Sequence, residues 1–354
     1  MSDCDFLSLF SKLSPERTQS IGRMALLLCV VADFQPIGRR SVAARMSTTE
    51  REVRSIADEM KAQGFLCADA SGMRLAPAAA DLLPACRELS RHLFSPDEIE
   101  QTLCRLLRAE NVIVVPGSAG DDSRVIKDVG RAAARKLKEY LHKSSILAVG
   151  GGSAMAETAR GLQPAALSDL MVVPLRGGIG PVMEDQASMI AAEIATKLGG
   201  HYRLMHLPEA LGQEAARELL AQEDVKKTLQ LIGQADVVMH GIGRADEMAE
   251  KRSLPEAVRT LLRDQGAVGE AFGEFFDQDG KTIYHAETFG ADVFKASNER
   301  RVIAVAAGAR KAQAIIACMK REQRVTLICD EGAANAILST LQSNPGFPGE
   351  SREK

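Results

Sequence analysis

Ile146-Leu-Ala-Val-Gly-Gly-Gly-Ser-Ala-Met155 runs an apolar strand into three glycines and then into the helical pattern Met155-Ala-Glu-Thr-Ala159. Glycine lets the backbone approach an anion closely, and the free N–H groups and dipole at a helix start favour negative charge. The stretch therefore reads as a phosphate cradle at the end of a strand. What completes the reading is the next strand, Met171-Val-Val-Pro-Leu175, where a dinucleotide-binding unit would carry an acid for a ribose hydroxyl. Here the strand ends instead in Arg176, followed by Gly177 and Gly178. A cation there suits a second anionic group, so the expected ligand is a phosphorylated small molecule rather than NAD. By itself the triple glycine could equally be a turn that binds nothing; its partners elsewhere in the chain decide.

Around this stretch strands alternate with helices. Strands are expected at 112–115, 146–149, 170–173, 202–207, 236–239, 302–306 and 325–329. Helices are expected at 131–141, 155–162, 184–198, 310–320 and from Glu331. Near-continuous apolar strands in such alternation predict an α/β fold with a mostly parallel, doubly wound, Rossmann-like sheet covered on both faces. Its ligands bind at the carboxyl ends of the strands. Those ends carry Gly150-Gly-Gly-Ser153, Arg176-Gly-Gly178, His240-Gly-Ile-Gly243, Gly308-Ala-Arg-Lys311 and Asp330-Glu-Gly332. Any one cation is more often a solvated surface residue, but glycine turns beside Arg176, Lys311, Lys251 and Arg252 together describe a pocket for two phosphates.

The N-terminal third has a different pattern. Ile21, Met24, Ala25, Leu28 and Ala32 share a helical face, predicting a core helix over 17–34. After the turn Gln35-Pro-Ile-Gly38 a short helix over 39–46 is expected, and Ser47-Thr-Thr-Glu50 has the form of a capping box opening another. Val53, Ile56, Ala57 and Met60 make that helix's core stripe, leaving Thr48, Arg51, Arg54, Ser55 and Asp58 outward. Phe65-Leu-Cys-Ala68 and Met73-Arg-Leu-Ala76 flank the turn Asp69-Ala-Ser-Gly72, where a winged helix-turn-helix carries its wing. Arg39, Arg40, Arg45, Arg51 and Arg54 stand against only Glu50 and Glu52, a basic edge on a near-neutral domain. Double-stranded DNA is the expected partner. Arg39 and Arg40 are placed for phosphates, while Thr48, Thr49, Arg51 and Arg54 lie on the element that would enter the major groove.

The stretch 78–111 is helical and amphipathic, interrupted at Pro84 and restarted by Ser95-Pro-Asp-Glu98. Its stripe of Ile99, Leu103, Leu106 and Leu107 either docks on the next domain or forms a dimer contact; a two-fold operator needs two reading heads, so a homodimer or homotetramer is expected. The organisation that follows is a DNA-binding domain over 1–85, a linker or dimerisation helix over 86–111, an effector-binding and oligomerisation domain over 112–342, and a frayed tail over 343–354.

Composition sets bounds on this. At 354 residues and a formal net charge of −3, the chain has room for two or three domains and no overall nucleic-acid signature, so any basic surface must be local. Seven cysteines without a C-x-x-C pair argue against zinc and against a disulfide framework. No metal or cofactor is expected. The apolar run 25–31 lies between Arg23 and Asp33 and is too short to span a bilayer, so a cytoplasmic protein without membrane association is expected.

These residues carry a resemblance. Pro36-Ile-Gly-Arg-Arg-Ser41, Val172-Val-Pro-Leu-Arg-Gly-Gly178, Val238-Met-His-Gly-Ile-Gly243, Glu270-Ala-Phe-Gly273, Ile303-Ala-Val-Ala-Ala-Gly308 and Asp330-Glu-Gly-Ala-Ala334 occur in the order found in the SorC/DeoR-type family of sugar-responsive bacterial repressors, and the chain resembles that family over nearly its whole length. The resemblance implies an N-terminal winged helix-turn-helix and a C-terminal effector domain akin to sugar-phosphate isomerases and glucosamine-phosphate deaminases. For the family's glycolytic branch it implies fructose 1,6-bisphosphate as inducer and promoter DNA of glycolytic genes as target. Carried over by position, Gly151, Gly152, Ser153 and Ala154 surround one phosphate with Arg176 and Lys311 as charge partners. Gln186 and Glu270 meet sugar hydroxyls, and Lys251 or Arg252 faces the second phosphate. Two departures stand out: Ser153-Ala154 replaces paired threonines, and Ala309-Arg310 replaces a serine-rich turn, exchanges that could retune which phosphosugar fits.

The rival expectation is a working isomerase or deaminase. Deaminases of this kind place Asp-Gly-His after a Gly-x-Gly loop as the acid/base group. This chain reads Gly241-Ile-Gly-Arg-Ala-Asp-Glu247 there, without a histidine. His240 precedes the loop and reads as a satisfied strand-end residue, His285 lies near an expected hairpin turn at Asp279-Gly280, and Asp330 and Glu331 read as helix caps. No catalytic residue is assigned.

Overall fold

The computed structural model describes residues 10, 13–46, 48–69, 71–94, 97–178, 183–205, 218–286, 300–322 and 324–342. The chain divides into two compact units, Met1–Glu98 and Ile99–Lys354.

In the first unit α1 (Pro15–Phe34) begins with proline in its first turn and stops before Pro36, which cannot continue a helix. Ala25, Leu27, Leu28, Cys29, Val30 and Val31 are all buried, so its second half is covered on most sides. Toward its start the inner face runs through Thr18 and Gly22 instead, and Ile21, expected in the core stripe, stands 55% exposed. Next come α2 (Arg39–Arg45) and α3 (Glu50–Ala62), then the hairpin of β1 (Leu66–Asp69) and β2 (Gly72–Leu75), antiparallel. Ile37 forms a bridge with Met73 and ties the hairpin back to the α1–α2 turn. Leu27, Val42, Val53, Ala57, Met60, Leu66 and Met73 close the core. A 3-10 turn (Pro77–Leu82) leads into α4 (Leu83–Phe94), which packs along α1 and is pinned by a forked ion pair from Arg87 to Asp33 at 3.3 and 2.7 Å.

The stretch 86–111 is accordingly not one element. Its first part belongs to α4. Its second is α5 (Asp97–Leu107), whose Leu103 and Leu107 are buried beside Val112 and Val114 of the following strand, with Ile99 and Leu106 packed against them. The apolar stripe thus docks on the second unit's own sheet. The expected start signal at Ser95-Pro96 lies outside the described residues, as does the 343–354 tail.

The second unit continues with β3 (Asn111–Val115), α6 (Val125–Tyr140), β4 (Ile146–Val149), α7 (Ser153–Gly161), β5 (Met171–Pro174), α8 (Ala187–Leu198) and β6 (His201–Tyr202). Then follow α9 (Glu223–Gly233), β7 (Val237–Gly241), β8 (Gly243–Arg244), α10 (Ala245–Lys251), α11 (Glu256–Asp264), β9 (Gly269–Ala271), β10 (Glu274–Phe276) and β11 (Thr282–His285). The unit closes with β12 (Arg301–Val305), α12 (Ala312–Met319), β13 (Val325–Asp330) and α13 (Glu331–Gln342). Seven strands form a parallel sheet in the order β3-β13-β12-β7-β4-β5-β6. One apolar layer lies under α6, α7 and α8 and another under α5, α12 and α13, the doubly wound arrangement. From β4 the chain steps outward to β5 and β6, then returns to β7 on β4's other side and steps the opposite way to β12 and β13. The topological switch point is therefore between β4 and β7, where ligands of open α/β sheets bind.

Two expectations need correction. The strand expected over 202–207 is only the pair His201–Tyr202, because β6 is an edge strand with one neighbour. The helix expected from 184 begins at Ala187, after a 3-10 turn at Met183–Asp185. Of the four-stranded antiparallel sheet, β11-β10-β9-β8, only the β10–β11 turn at Asp279-Gly280 had a counterpart in the sequence pattern, since strands of two to four residues are too short for periodicity to register. Among the described residues no helix is long and apolar enough to cross a membrane.

Candidate effector cleft and nucleic-acid face

The cradle forms because two backbones meet closely. A Cβ on Gly151 would lie 2.6 Å from the Asp185 carbonyl oxygen, so only glycine fits there. Gly152 is the N-cap of α7 at φ 109°, a conformation side chains resist, and its N–H donates to that same carbonyl at 2.8 Å. Among the described residues no side chain caps α7, and the space beside its N-cap is open, since a Cβ on Gly152 would meet nothing within 4 Å. Ser153 is exposed at this end, whereas Ala154 is buried in the core; only its N–H, not its side chain, is left to serve a ligand.

Around the cradle stand the cations. The Glu270 carboxylate accepts from Arg252 at 2.7 Å, from Arg176 at 3.2 Å and from the Gly273 N–H at 2.6 Å. Burial alone would raise its pKa; Arg176 and Arg252 outweigh this and hold the carboxyl below the usual glutamate range. Lys251, at the end of α10, pairs with Asp185 at 3.3 Å. Lys311 follows the Gly308 turn, and burial pushes its ammonium below the ordinary lysine range, with Lys251 adding to the effect and Glu247 and Asp330 opposing it. The Gln186 carboxamide reaches across to Gly178, where a Cβ would sit 2.8 Å from its oxygen. The structure thus brings Gly151, Gly152, Ser153, Arg176, Gln186, Lys251, Arg252, Glu270 and Lys311 to the carboxyl ends of β4, β5, β7 and β12. Arg310, the departure before Lys311, is 74% exposed and pairs with Glu247 at 3.5 Å.

Two acids and a histidine are occupied structurally. Asp330 is fully buried and accepts from the N–H groups of Ala119, Gly308 and Ala333, tying three loops together. Glu331 accepts from the Gly117 N–H. His240 is buried against Phe272, with Nδ1 3.1 Å from the Gly241 carbonyl and Nε2 3.1 Å from Glu322. Burial would lower its pKa, but Glu322 and the carbonyl outweigh that and raise it. With Glu322 ionised both ring nitrogens face acceptors, so the ring satisfies both only as imidazolium. His285 lies at the end of the β10–β11 hairpin, exposed beside Glu274. Among the described residues no cluster of His, Cys, Asp or Glu could hold a metal ion.

On the first unit, α2 and α3 present Arg39, Arg40, Arg51 and Arg54 to solvent. Arg39, Arg51 and Arg54 have no ion pair among the described residues, and Arg40 makes only a long contact with Glu50 at 3.7 Å. Arg45 differs: it lies over the Phe34 ring at 4.0 Å, a packing contact. The cap lies two residues beyond the expected Ser47, and it is a simple N-cap: the Glu52 carboxylate turns to Thr48 and Arg23. Thr49 is the N-cap, its hydroxyl accepting the Glu52 N–H at 3.2 Å, and Ser47 lies outside the described residues. Thr48 donates to the Glu52 carboxylate, which also pairs with Arg23 of α1. The Thr48 O–H is thus spent on Glu52, whereas the Thr49 hydroxyl, which only accepts, keeps its own O–H to donate beside Arg51 and Arg54. Asp185 was absent from the sequence-based site; an acid just before a helix reads as a cap, and nothing local marks it as a partner of Lys251.

Comparison with known proteins gives matches over both units. Residues 21–89 match the family of the CggR N-terminal DNA binding domain, and residues 91–339 match a family of sugar-binding domains. The central glycolytic genes regulators of Priestia megaterium and Bacillus subtilis are 36% and 32% identical to this chain, each over 92% of it and 96% of the relative. A SorC family transcriptional regulator from Enterococcus faecalis is similar in structure, with a TM-score of 0.64 at 36% identity over 68% of this chain and 99% of that one. The full-length sorbitol operon regulator SorC from Klebsiella pneumoniae, 15% identical, shares the fold with a TM-score of 0.62 over 96% of this chain and 99% of that one.

Proposed function

The chain belongs to the central glycolytic genes regulator family of sugar-responsive transcriptional regulators, and from this premise we propose that its cleft above β4 receives a hexose bisphosphate, fructose 1,6-bisphosphate first among them, whose binding releases operator DNA of glycolytic genes. It is a regulator rather than an enzyme, as are the proteins it resembles.

One observation carries the proposal: beside the glycine cradle at the switch point of the sheet, Lys251 pairs with Asp185, whose carbonyl holds the Gly152 N–H, while Arg176 and Arg252 share Glu270 and Lys311 is desolvated on the loop after β12. A helix N-terminus with a desolvated lysine suits a phosphate dianion. In this reading the α7 N–H groups, Ser153 and Lys311 hold one phosphate. Arg176, Gln186 and Glu270 meet the sugar, and Lys251 takes the far phosphate, with Arg252 fixing Glu270 from behind. On the first unit Arg51 and Arg54 enter the major groove, and Arg39 and Arg40 contact phosphates. Two copies of the chain, as a homodimer or homotetramer in the cytoplasm, would match a two-fold operator.

The effector can act as inducer only by preferring the arrangement that binds DNA weakly, since a ligand with equal affinity for both states shifts nothing. A thermal-shift panel of phosphorylated and unphosphorylated hexoses tests the ligand class. A rise in melting temperature with hexose bisphosphates and none with free hexoses supports the proposal; no rise with any phosphosugar rejects it.

A further inference from the structure

The pair Asp185–Lys251 has a special position in the sheet. Asp185 ends the 3-10 turn after β5, and Lys251 ends α10 after β7. In the strand order these two strands flank β4, so the ion pair spans the strand that carries the glycine cradle. Asp185 is also fixed to the cradle itself, because its carbonyl accepts the Gly152 N–H. Its backbone is therefore anchored beside the cradle, while its carboxylate, on rotatable side-chain bonds, can turn between Lys251 and a ligand. The other cations are placed differently: Arg176 and Arg252 are committed to the buried Glu270, and the Lys311 ammonium makes no hydrogen bond or ion pair among the described residues. Lys251, by contrast, is held by a carboxylate that is not deeply buried, the pair being 33% and 18% exposed.

We infer that Asp185 is a specificity-determining counter-ion, occupying Lys251 until a second phosphate displaces it, so that this one carboxylate sets how strongly a bisphosphate is preferred over a monophosphate. The inference rests on the phosphosugar assignment above. A monophosphate held at α7 leaves the pair intact, and its distal hydroxyl can donate to Asp185. A bisphosphate must break the pair and bring a like charge beside Asp185, then recovers the loss by taking Lys251. A partly exposed ion pair costs little to break, so the threshold is modest: about threefold to tenfold in affinity.

The test is calorimetric titration of the full chain with fructose 1,6-bisphosphate and with fructose 6-phosphate. For Asp185→Asn the ratio of bisphosphate to monophosphate affinity rises about threefold to tenfold over the unaltered chain. For Lys251→Met the ratio falls toward one. A ratio that is unchanged or lower in Asp185→Asn overturns the inference, as does an unchanged ratio in Lys251→Met. Should Asp185→Asn fail to fold, Asp185→Ser, which also removes the charge, is read in its place with the same expected rise. Binding of neither sugar phosphate by the unaltered chain overturns the ligand assignment and this inference with it, a result distinct from a ratio that fails to move.

Discussion

The Arg252 guanidinium lies 2.7 Å from the Glu270 carboxylate, with both side chains 3% exposed. Charges this deeply buried are stable only as partners, and the same Glu270 also holds Arg176 and the Gly273 turn. Glu270→Gln keeps the shape and removes the charge, so the sugar-binding unit is expected to lose roughly 3 to 5 kcal/mol of stability. Because the folded carboxyl titrates below its ordinary value of 4.5, its contribution is present above that value and is lost as pH falls through the lowered one. Denaturant unfolding should show the gap between the two proteins closing as the pH is lowered below 4.5. A gap independent of pH would contradict this.

His240 works in the opposite sense. Its folded pKa lies above 6.5, so the stabilisation from the Glu322 pair is complete below 6.5 and disappears as pH rises through the raised value. His240→Gln should be less stable than the unaltered chain at about pH 6 and closer to it at about pH 9. Unfolding curves at the two pH values check this; a difference that grows with pH would refute it.

Gly151→Ala forces a methyl group to within 2.6 Å of the Asp185 carbonyl oxygen, a backbone atom that cannot rotate away. The cradle must open, and affinity for fructose 1,6-bisphosphate should drop by about tenfold or more, while DNA binding without ligand persists. Titration calorimetry beside a gel-shift assay measures both.

Thr49→Ala removes the hydroxyl that accepts the Glu52 N–H at the start of α3. About 1 kcal/mol of stability in the DNA-binding unit should be lost, read by amide hydrogen exchange in α3. Protection left unchanged would mean the cap contributes nothing.

Arg51→Ala should weaken operator binding by about 1 to 3 kcal/mol and leave phosphosugar affinity intact, and Arg176→Ala should do the reverse. If Arg51 reaches only phosphate, the loss will be uniform across DNA sequences and the salt slope will drop by about one. Loss of both functions in both proteins, with folding intact, would reject the division of labour between the two units.

What could be read from the chain alone follows from where information is local. The parallel sheet was legible because strands such as Val325–Asp330 are apolar throughout, and the cradle because three glycines follow a strand. The N-terminal helices were legible from spacing, yet the capping box was ambiguous: Ser47 to Glu50 and Thr49 to Glu52 carry the same pattern two residues apart, and only the backbone distinguishes them. Ile21 fits the helical stripe but stands 55% exposed, since burial depends on neighbours distant in sequence. The link from Asp185 to Lys251 joins residues 66 apart on loops either side of a strand, so no local pattern encodes it. The short strands β8 to β11 escaped for the related reason that their pairing, not their periodicity, defines them.

Where one chain couples a phosphosugar cleft to a DNA-reading head, thermodynamic linkage makes the coupling reciprocal. The direct measurement is the affinity of the full chain for operator DNA at increasing fructose 1,6-bisphosphate, paired with the affinity for the sugar at saturating DNA. The account predicts that each ligand weakens the other by the same factor, about 5-fold to 150-fold. Tight binding of the sugar with no change in DNA affinity would contradict it.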